Sequence, residues 1–418
     1  MKKSNNVVVT EMGVVTPIGV GLQDFYDAML QRRSGVKIRP ELAEIDGPLK
    51  LYSPIEDFDG KKWVRPRKAM KVMCRPIQFG FAAATMALEH AGIDENSVNP
   101  DRKGTVFGSE TFFADPQEVA SVFRKCVTEK NYLHDRWGEF AMREIQPLWM
   151  LKYLPNMVAS HISIVADARG PSNSICQGEA SSLLATIEGA DLILRGVCDV
   201  VIVGGTGSQT SLSGMLYRGQ HLMSHRVDEP ARACRPFDAQ RDGTVYGEGA
   251  GALILESESH ALARGAKPIV QIQDWSRNFH APKSNSLADS ISMGLNSMKD
   301  SGKLELQRLS HVNAHGLASP NSDRQEANAI QTVLGDVPVT AIKSYFGHLG
   351  PGSPTIELIA SLIGMQSDQL PATMNYENPD DECPINVITE FTPTDRSDAL
   401  KISLSETGQI AALLVRKY

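Results

Sequence analysis

The sequence lacks any apolar run that approaches the roughly 18 residues a helix needs to cross a bilayer. The stretch that begins at Met1 contains no apolar segment of the kind found in secretory signals, so we expect no such signal. The six cysteines are scattered without CxxC pairs, which excludes a zinc ribbon and predicts a reducing, cytoplasmic location. No metal-ligand spacing such as His-Glu-x-x-His occurs, so we expect no metal ion. We also expect no organic cofactor, because the glycine-rich residues 247–251 are not a G-x-G-x-x-G motif that opens a helix.

The chain also lacks an excess of basic over acidic residues. The 418 residues include 42 basic and 49 acidic side chains, which gives a net charge of −7. We therefore do not expect a protein that coats nucleic acid, because binding to phosphates needs a basic face. Hydrophobic residues make up 42% of the chain and charged residues 22%, a globular composition with enough apolar material for a large core.

Apolar strand segments alternate with helical segments along the chain. A helical pattern at residues 179–195 is followed by an apolar strand at 199–205, and this order predicts a buried parallel sheet. Residues 113–165 are predicted to be largely helical. Two similar α/β halves without a linker, residues 1–256 and 257–418, indicate an internal duplication. Loops at the carboxyl ends of the strands are then expected to hold the site.

Four segments resemble motifs of the β-ketoacyl-acyl-carrier-protein synthases, most closely the type II condensing enzymes of fatty-acid and polyketide synthesis. They are residues 170–172 (Gly-Pro-Ser), residues 235–252, which begin Arg-Pro-Phe-Asp and end Gly-Glu-Gly-Ala-Gly-Ala, residues 313–316 (Asn-Ala-His-Gly), and residues 343–349, which begin Lys-Ser and end Gly-His-Leu. Each motif is modest alone, but four in the right order are a strong signal that spans nearly the whole chain.

The resemblance implies a duplicated five-layered αβαβα thiolase fold, usually in a homodimer. In that family a cysteine at a buried helix N-terminus takes the acyl chain as a thioester, and two histidines stabilise the enolate formed when carbon dioxide leaves. By position, His315 and His348 match those histidines. Lys343 and Glu326 match a supporting charged pair, with Asp323 beside them. Two imidazole N–H donors suit this chemistry, because decarboxylation places negative charge on one oxygen.

One departure from the family decides the function. The nucleophile should lie nine residues after Gly170, and that position is Glu179. The N-terminus of a helix favours a carboxylate as it favours a thiolate, but a carboxylate cannot form the stable thioester that condensation needs. Cys176 lies three residues upstream, where we expect its thiol to be buried as a small hydrophobic group; the alternative is a substitute nucleophile.

Further departures affect the expected acyl pocket. Where the family has a Gly-Phe-Gly-Gly loop whose phenylalanine gates the pocket, this chain has residues 405–408, Ser-Glu-Thr-Gly. The gate position is Glu406, and Gly408 retains the last glycine of the loop. Leu317 stands where the family usually has threonine. Two carboxylates near one pocket should repel an anionic malonyl group unless they are protonated or paired.

Three hypotheses about function remain open. The chain is a malonyl-carrier decarboxylase that retains both histidines, or a non-catalytic partner of an active ketosynthase, comparable to a chain-length factor. The third hypothesis is another reaction of acyl thioesters with Glu179 as general base. Ordinary condensation through an unexpected nucleophile is the remaining alternative. Under all of them the predicted partners are an acyl carrier protein and a second ketosynthase-like chain, as a homodimer or a heterodimer.

A basic segment stands out in this acidic chain. Residues 61–75 carry seven basic side chains and no acidic one. An acyl carrier protein is strongly acidic, so this segment is a candidate docking surface, with a solvated helix face as the alternative. The residues proposed to contact the carrier are Arg65, Arg67, Lys68, Lys71 and Arg75.

Overall fold

The computed structural model describes residues 6–94 and 97–418. Segments rich in valine, isoleucine and leucine form the long strands, as expected of residues that suit a buried pleated surface. The strands are β1 (Val7–Thr16), β2 (Gly19–Val20), β3 (Lys37–Ile38), β4 (Leu51–Tyr52), β5 (Lys103–Gly108), β6 (Ser172–Ile175), β7 (Val200–Ser208), β8 (Glu248–Ser257), β9 (Val270–Phe279), β10 (Leu309–Asn313), β11 (Pro338–Thr340), β12 (Gln369–Leu370), β13 (Asn386–Val387), β14 (Thr392–Pro393), β15 (Asp398–Leu404) and β16 (Gln409–Lys417).

The helices begin and end at recognisable signals. The helix that starts at Arg75 has Pro76 in its first turn and stops at Gly92, which is left-handed (φ +62°). The helices are α1 (Leu22–Leu30), α2 (Gly60–Trp63), α3 (Arg75–Ala91), α4 (Ala120–Cys126), α5 (Trp137–Glu144), α6 (Met157–Ala166), α7 (Ser181–Leu194), α8 (Leu212–Arg218), α9 (Glu258–Ala263), α10 (Leu287–Asp300), α11 (Pro320–Leu334), α12 (Lys343–Phe346) and α13 (Ser353–Gln366).

One mixed sheet of 12 strands runs through the molecule, and its strand order repeats. The first half has the order β6-β5-β7-β8-β1 and the second half has β11-β10-β15-β16-β9. Within each half the first three strands are parallel and the last two are added antiparallel. The halves join where β1 pairs antiparallel with β9. This repeat of order and direction confirms the predicted duplicated fold; the boundary after residue 256 stays a prediction.

Five layers follow from the helix packing. α3 packs on β1, β7 and β8 on one outside face, and α10 packs on β9 and β16 on the other, with α11 against it. α7 and α13 contact each other and strands of both halves, so they form the middle layer. Residues 353–365 of α13 are all buried, as a helix between two sheet layers must be. The predicted αβαβα arrangement is confirmed.

Residues 113–165 are largely helical as expected, but in short pieces. Three α-helices, α4, α5 and α6, and three 3₁₀-helices, at Pro116–Glu118, His134–Arg136 and Trp149–Tyr153, form there and are joined by turns. Prolines such as Pro116, Pro147 and Pro155 interrupt the helical pattern, because proline lacks the N–H that continues a helix. Within the described residues, no helix has the length and apolar character required for a membrane span.

Parallel strands place two groups of residues at one edge of each half. β5, β6 and β7 share their carboxyl-end edge, and β6 leads to Glu179 four residues after it ends at Ile175. In the second half, β10, β11 and β15 lead to His315, Lys343 and Glu406. The predicted residues therefore lie just after the carboxyl ends of parallel strands, where open α/β sheets generally place their binding sites.

The first turn of α7 packs directly on the end of β5. A Cβ on Gly108 would lie 2.5 Å from the backbone nitrogen of Ser182 and 2.7 Å from the carbonyl carbon of Ser181. A side chain at residue 108 would push α7 away from the sheet, and Glu179 with it. The close approach thus fixes the position of the residue that departs from the family.

We expect Gly108→Ala to lower the free energy of unfolding by about 1–3 kcal/mol, because the new methyl group meets backbone atoms that cannot move independently. Gly138→Ala is the matched control: no atom lies within 4 Å of its added Cβ, and it lies inside α5. We expect the control to be neutral or up to about 1 kcal/mol stabilising. Urea unfolding at one protein concentration measures both, and equal midpoints for the two variants would contradict the packing argument.

Candidate active site

A cavity of about 360 Å³ lies where the strand ends of the two halves meet. It is lined by polar residues on one side and by apolar residues from the segment around β9 and α10 on the other. The lining residues are Glu179, Leu222, Phe279, His280, Pro282, Leu287, His315, Leu317, Ser319, Ser322, His348, Leu404, Ser405, Glu406, Thr407 and Gly408. Both predicted histidines and the carboxylate at the nucleophile position thus share one cavity.

The imidazole of His315 is held as a neutral N–H donor. The Lys343 ammonium lies 3.4 Å from its Nδ1, and the backbone N–H of Leu404 donates to the same nitrogen at 3.4 Å. Because both neighbours are donors, Nδ1 must accept and Nε2 carries the proton. Burial and the charges of Lys343, Lys401 and His348 hold the pKa of His315 well below its usual value. His315 therefore offers an uncharged donor to the cavity.

Two buried carboxylates shape the loop that carries His315. Glu326 accepts the backbone N–H groups of His315 at 2.6 Å and of Gly316 at 2.9 Å. Asp323 accepts the N–H of Leu317 at 3.0 Å and that of Phe237 at 2.9 Å. Burial raises the pKa of Glu326 to about 7 and that of Asp323 to about 6, against the opposing effect of these hydrogen bonds. Both carboxylates accept hydrogen bonds from backbone N–H groups, and neither lines the cavity.

The predicted pairing of Lys343 with Glu326 is wrong. The ionic partner of Lys343 is Glu357 on α13, with 2.7 Å between Nζ and Oε1, while Glu326 is occupied with backbone N–H groups. Lys343 also donates to the carbonyl of His315 at 2.7 Å. Lys343 therefore links the buried carboxylate of Glu357 directly to the loop that carries His315.

A second buried lysine, which the sequence analysis missed, binds the same carboxylate. Lys401 on β15 contacts Glu357 and donates to the Oδ1 of Asn313 at 3.1 Å and to the carbonyl of Ala314 at 3.0 Å. Burial lowers the pKa of Lys401 to about 8. Burial raises the pKa of Glu357, but the charges of Lys343 and Lys401 outweigh it and leave a net lowering. This group, the Lys343–Glu357–Lys401 cluster, places positive charge behind His315.

Glu179 and His348 form the second half of the site. Oε1 of Glu179 lies 3.3 Å from Nε2 of His348, and Oε2 accepts the backbone N–H of Glu406 at 3.1 Å. Burial raises the pKa of Glu179, but the hydrogen bond and charge of a protonated His348 and the N–H of Glu406 bring it to about 2. Glu179 is thus a carboxylate that faces the cavity and not a side chain turned away from it.

The residues at the expected acyl gate form a tight hairpin turn. The N–H of Ser405 donates to the carbonyl of Gln409 at 2.9 Å, so residues 405–408 close the turn between β15 and β16. Gly408 is left-handed (φ +94°), and a Cβ there would lie 2.7 Å from the carbonyl oxygen of His280. The backbone N–H of Glu406 points at Glu179. The pKa of the Glu406 carboxyl is raised by burial and by the charge of Glu179.

The expectation that Cys176 is buried is wrong. Its side chain is exposed, because β6 ends at Ile175 and the chain then turns toward α7. The thiol itself is still partly desolvated by neighbouring atoms, and this, together with the charge of Glu110, raises its pKa, which does not suit a nucleophile. Among the described residues that line the cavity there is no cysteine.

The basic segment lies apart from the cavity. Arg65, Arg67, Lys68 and Lys71 are exposed, and the last three belong to a 3₁₀-helix at Arg67–Val72. Arg75 differs, because it binds Glu248 at 3.2 Å and stacks on the ring of Phe79. Four of the five predicted docking residues thus present free charge on one surface, and the fifth is occupied within the fold.

Comparisons with known proteins agree with the geometry. A family model described as "Beta-ketoacyl synthase, N-terminal domain" matches residues 4–261, and "Beta-ketoacyl synthase, C-terminal domain" matches residues 272–377. The chain belongs to the β-ketoacyl synthase family. The resemblance seen in four short motifs is confirmed by matches that together extend over most of the chain.

Individual relatives resemble the chain along its full length. A "3-oxoacyl-[acyl-carrier-protein] synthase 2" of Synechocystis sp. is 30% identical and is matched over 100% of this chain and 99% of its own. The crystal structure of a β-ketoacyl synthase from Burkholderia phymatum superposes with a TM-score of 0.88 at 25% identity and covers 99% of this chain and 100% of its own. The ishigamide ketosynthase/chain length factor has a TM-score of 0.85 at 23% identity, with the same coverage of 99% and 100%.

We expect Glu357→Gln to lower the free energy of unfolding by about 3–5 kcal/mol, because it leaves two buried lysines without a counter-charge. A carboxylate with a lowered pKa contributes stability above its ordinary pKa and loses it as the pH falls. The gap between wild type and variant should therefore narrow as the pH drops below 4.5, the ordinary pKa of a glutamate.

The matched control for this experiment is Glu56→Gln. Glu56 pairs with Lys37 at the surface, where both side chains are about half exposed, and its loss should change the unfolding free energy by less than about 1 kcal/mol. Denaturant unfolding from pH 3 to pH 7 measures both variants. A similar small effect for both would show that the Lys343–Glu357–Lys401 cluster does not depend on its carboxylate.

Proposed function

We propose that this protein decarboxylates malonyl groups carried as thioesters on an acyl carrier protein, and that it does not condense acyl chains through a cysteine. The observation that carries the proposal is the contact of 3.3 Å between Glu179 and His348 in a cavity shared with His315. Glutamate replaces the acyl-accepting thiol, while both enolate-stabilising imidazoles remain. The name of the Synechocystis relative supports an acyl carrier protein as partner.

In the first step the thioester oxygen lies between the two imidazoles. The bond between the malonyl carboxylate and the α-carbon breaks, carbon dioxide leaves, and the electron pair forms an enolate on the thioester oxygen. The neutral Nε2–H of His315 donates to this oxygen, supported by Lys343 behind it. The positive Lys343–Glu357–Lys401 cluster favours the negative charge that develops.

In the second step the enolate takes up a proton. A protonated His348 donates it to the α-carbon, which yields an acetyl thioester, and His348 regains a proton from water. The balance is one malonyl thioester and one proton consumed for one acetyl thioester and one carbon dioxide. The carboxylate of Glu179 stabilises the protonated imidazole at 3.3 Å, so it acts through His348 as a positioning residue.

We expect purified protein and malonyl-carrier to release carbon dioxide and to give acetyl-carrier by mass spectrometry. His315→Ala should lower kcat by about 10²–10³-fold, because it removes a donor to the enolate. Glu179→Gln should lower kcat by about tenfold or more, because it removes the carboxylate that contacts Nε2 of His348 at 3.3 Å. An amide does not favour the protonated imidazole as a carboxylate does.

Cys176→Ser is the control, and it should retain the wild-type rate because Cys176 lies outside the cavity lining. A stable acyl adduct on the wild-type protein, or a β-ketoacyl product, would contradict the proposal. A rise in decarboxylation on Glu179→Gln would show that the carboxylate hinders the reaction instead of assisting it.

The exposed basic segment is proposed as the carrier-docking surface. Arg65, Arg67, Lys68 and Lys71 present their charge to solvent, and a strongly acidic carrier complements it. We leave Arg75 out of this surface because Glu248 already neutralises it. Docking here brings charge complementarity without contact between these residues and the reacting atoms.

We expect Arg67→Glu combined with Lys68→Glu to raise KM for malonyl-carrier by about tenfold or more, with kcat within about twofold, since charges at a docking surface act mainly on association. Lys303→Glu, an exposed reversal that follows α10, is the control and should leave KM unchanged. Steady-state kinetics at low and high salt measure the effect. An unchanged KM for the double variant would show that the basic segment is only a solvated surface and does not bind the carrier.

We also propose a twofold dimer through β6. This strand forms one edge of the 12-stranded sheet, so its outer N–H and C=O groups are available for a second copy. Large apolar side chains are exposed on α6, which packs on β6; they are Ile164 and Val165. A related interface would serve a heterodimer with a cysteine-bearing ketosynthase.

The second candidate function is a non-catalytic partner of an active ketosynthase. Its support is the loss of the thiol at position 179 and the structural likeness to a ketosynthase/chain length factor pair. The retained histidines and the intact cluster behind His315 weigh against it. The carbon dioxide assay separates the two candidate functions. A non-catalytic partner subunit alone releases no carbon dioxide from malonyl-carrier.

A further inference from the structure

Lys401 lies on the strand that also contacts the imidazole of His315. It pairs with Asn313 in the parallel register of β15 and β10, so it stands beside the end of the strand that leads to His315. Three residues further along the chain, the backbone N–H of Leu404 donates to Nδ1 of His315 at 3.4 Å. The side chain of Lys401 is 0% exposed, so its ammonium is shielded from bulk water.

The Lys401 ammonium holds the peptide that precedes His315. Its Nζ donates to the carbonyl of Ala314 at 3.0 Å and to Oδ1 of Asn313 at 3.1 Å, and it also contacts Glu357. These three contacts account for the three N–H donors of an ammonium. The amide of Asn313 is fixed in turn, because its Nδ2 donates to the carbonyl of Glu357 at 2.6 Å. The last two residues before His315 are thus tied to β15 and α13.

The charge balance beside His315 depends on Lys401. Lys343 lies 2.7 Å from Glu357 and donates to the carbonyl of His315 at 2.7 Å. With Lys401 present, two ammonium groups share one carboxylate, so a net positive charge remains next to the imidazole. With an uncharged residue at 401, Lys343 and Glu357 would neutralise each other, and the imidazole would face a neutral ion pair.

The other groups around Lys401 are a carboxylate and an apolar side chain. Glu326 on α11 acts on Lys401 through its charge, although it is hydrogen-bonded to backbone N–H groups of the loop that carries His315. Leu413 of β16 pairs with Lys401 on the other side of β15. Burial lowers the pKa of Lys401 to about 8, against the opposing charges of Glu357 and Glu326.

We propose that Lys401 is a positioning residue of the decarboxylation, which fixes the peptide before His315 and balances Glu357 so that the charge of Lys343 remains available to the imidazole. This inference rests on the proposed function. Lys401 does not line the cavity, so it acts on the rate of the reaction and not on the binding of the carrier. A hydrogen-bond donor that is displaced, or that has lost the positive charge behind it, stabilises the enolate less.

The first test replaces the ammonium with an uncharged side chain of similar length. We expect Lys401→Met to lower kcat for malonyl-carrier by about tenfold or more, with KM within about twofold of wild type. The matched control is Lys103→Met. Lys103 is also fully buried and donates to the carbonyl of Ala166 at 2.7 Å, but it begins β5 at the end of the sheet away from the cavity. The control should lower stability and retain the wild-type kcat.

The second test observes the imidazole and needs no turnover. Nitrogen NMR of protein labelled at its histidines gives the shifts of both ring nitrogens of His315, which His315→Asn assigns. In wild type we expect these shifts to change near pH 8, because Lys401 loses its proton there and the net charge beside the ring falls. Lys401→Met should lack this change, and Lys103→Met should retain it. A change caused by Glu326 would persist in both variants.

An unchanged kcat in Lys401→Met overturns the inference and leaves the decarboxylation standing. An equal loss of kcat in Lys103→Met also overturns it, because a general weakening of the fold then explains both variants. If wild type releases no carbon dioxide, the decarboxylation is refuted and the NMR series decides: a change near pH 8 that persists in Lys401→Met shows that Lys401 does not act on His315. If Lys401→Met does not fold, Lys401→Gln replaces it under the same criteria, since glutamine retains an N–H donor without charge.

Discussion

Two sets of parallel strand ends meet at one cavity, and the site depends on that convergence. Each half of the sheet contributes three parallel strands whose carboxyl ends lie at one edge, and the helices between the halves bring the two edges together. One half supplies Glu179 at the start of a helix, and the other supplies His315. Because the backbone of a hairpin turn binds the carboxylate and a glycine of β5 packs on the helix, the geometry is held by the main chain.

Charge is distributed unevenly across this cavity. Behind His315, two lysines share the single carboxylate of Glu357, and the excess positive charge keeps the imidazole neutral. Beside His348, the carboxylate of Glu179 lies 3.3 Å from Nε2. The two histidines thus have different electrostatic surroundings, although both were identified in the same way, by their positions in sequence motifs. Under the proposed function, this difference suits His315 to donate a hydrogen bond and His348 to donate a proton.

The sequence predicted the duplicated fold, the family and the meeting of Glu179, His315 and His348 in one cavity, because these depend on periodicity and on short motifs that fold locally. It did not predict Glu357 and Lys401, whose side chains meet across 44 residues. The available signal was Glu357 as the one charged residue of α13 and Lys401 in the apolar middle of β15. Such a residue indicates a buried charge but does not identify the residue that pairs with it. The orientation of Cys176 was wrong for a related reason: it depends on where β6 stops, and strand ends are the least certain part of a sequence pattern.

The contact between Glu179 and the backbone of Glu406 joins residues 227 positions apart, one from each half of the duplication. Neither half contains the whole lining of the cavity, since each supplies only one side of it. A single repeat would consequently need a second copy to build this cavity. Because both repeats lie in one chain, assembly of the cavity does not depend on protein concentration.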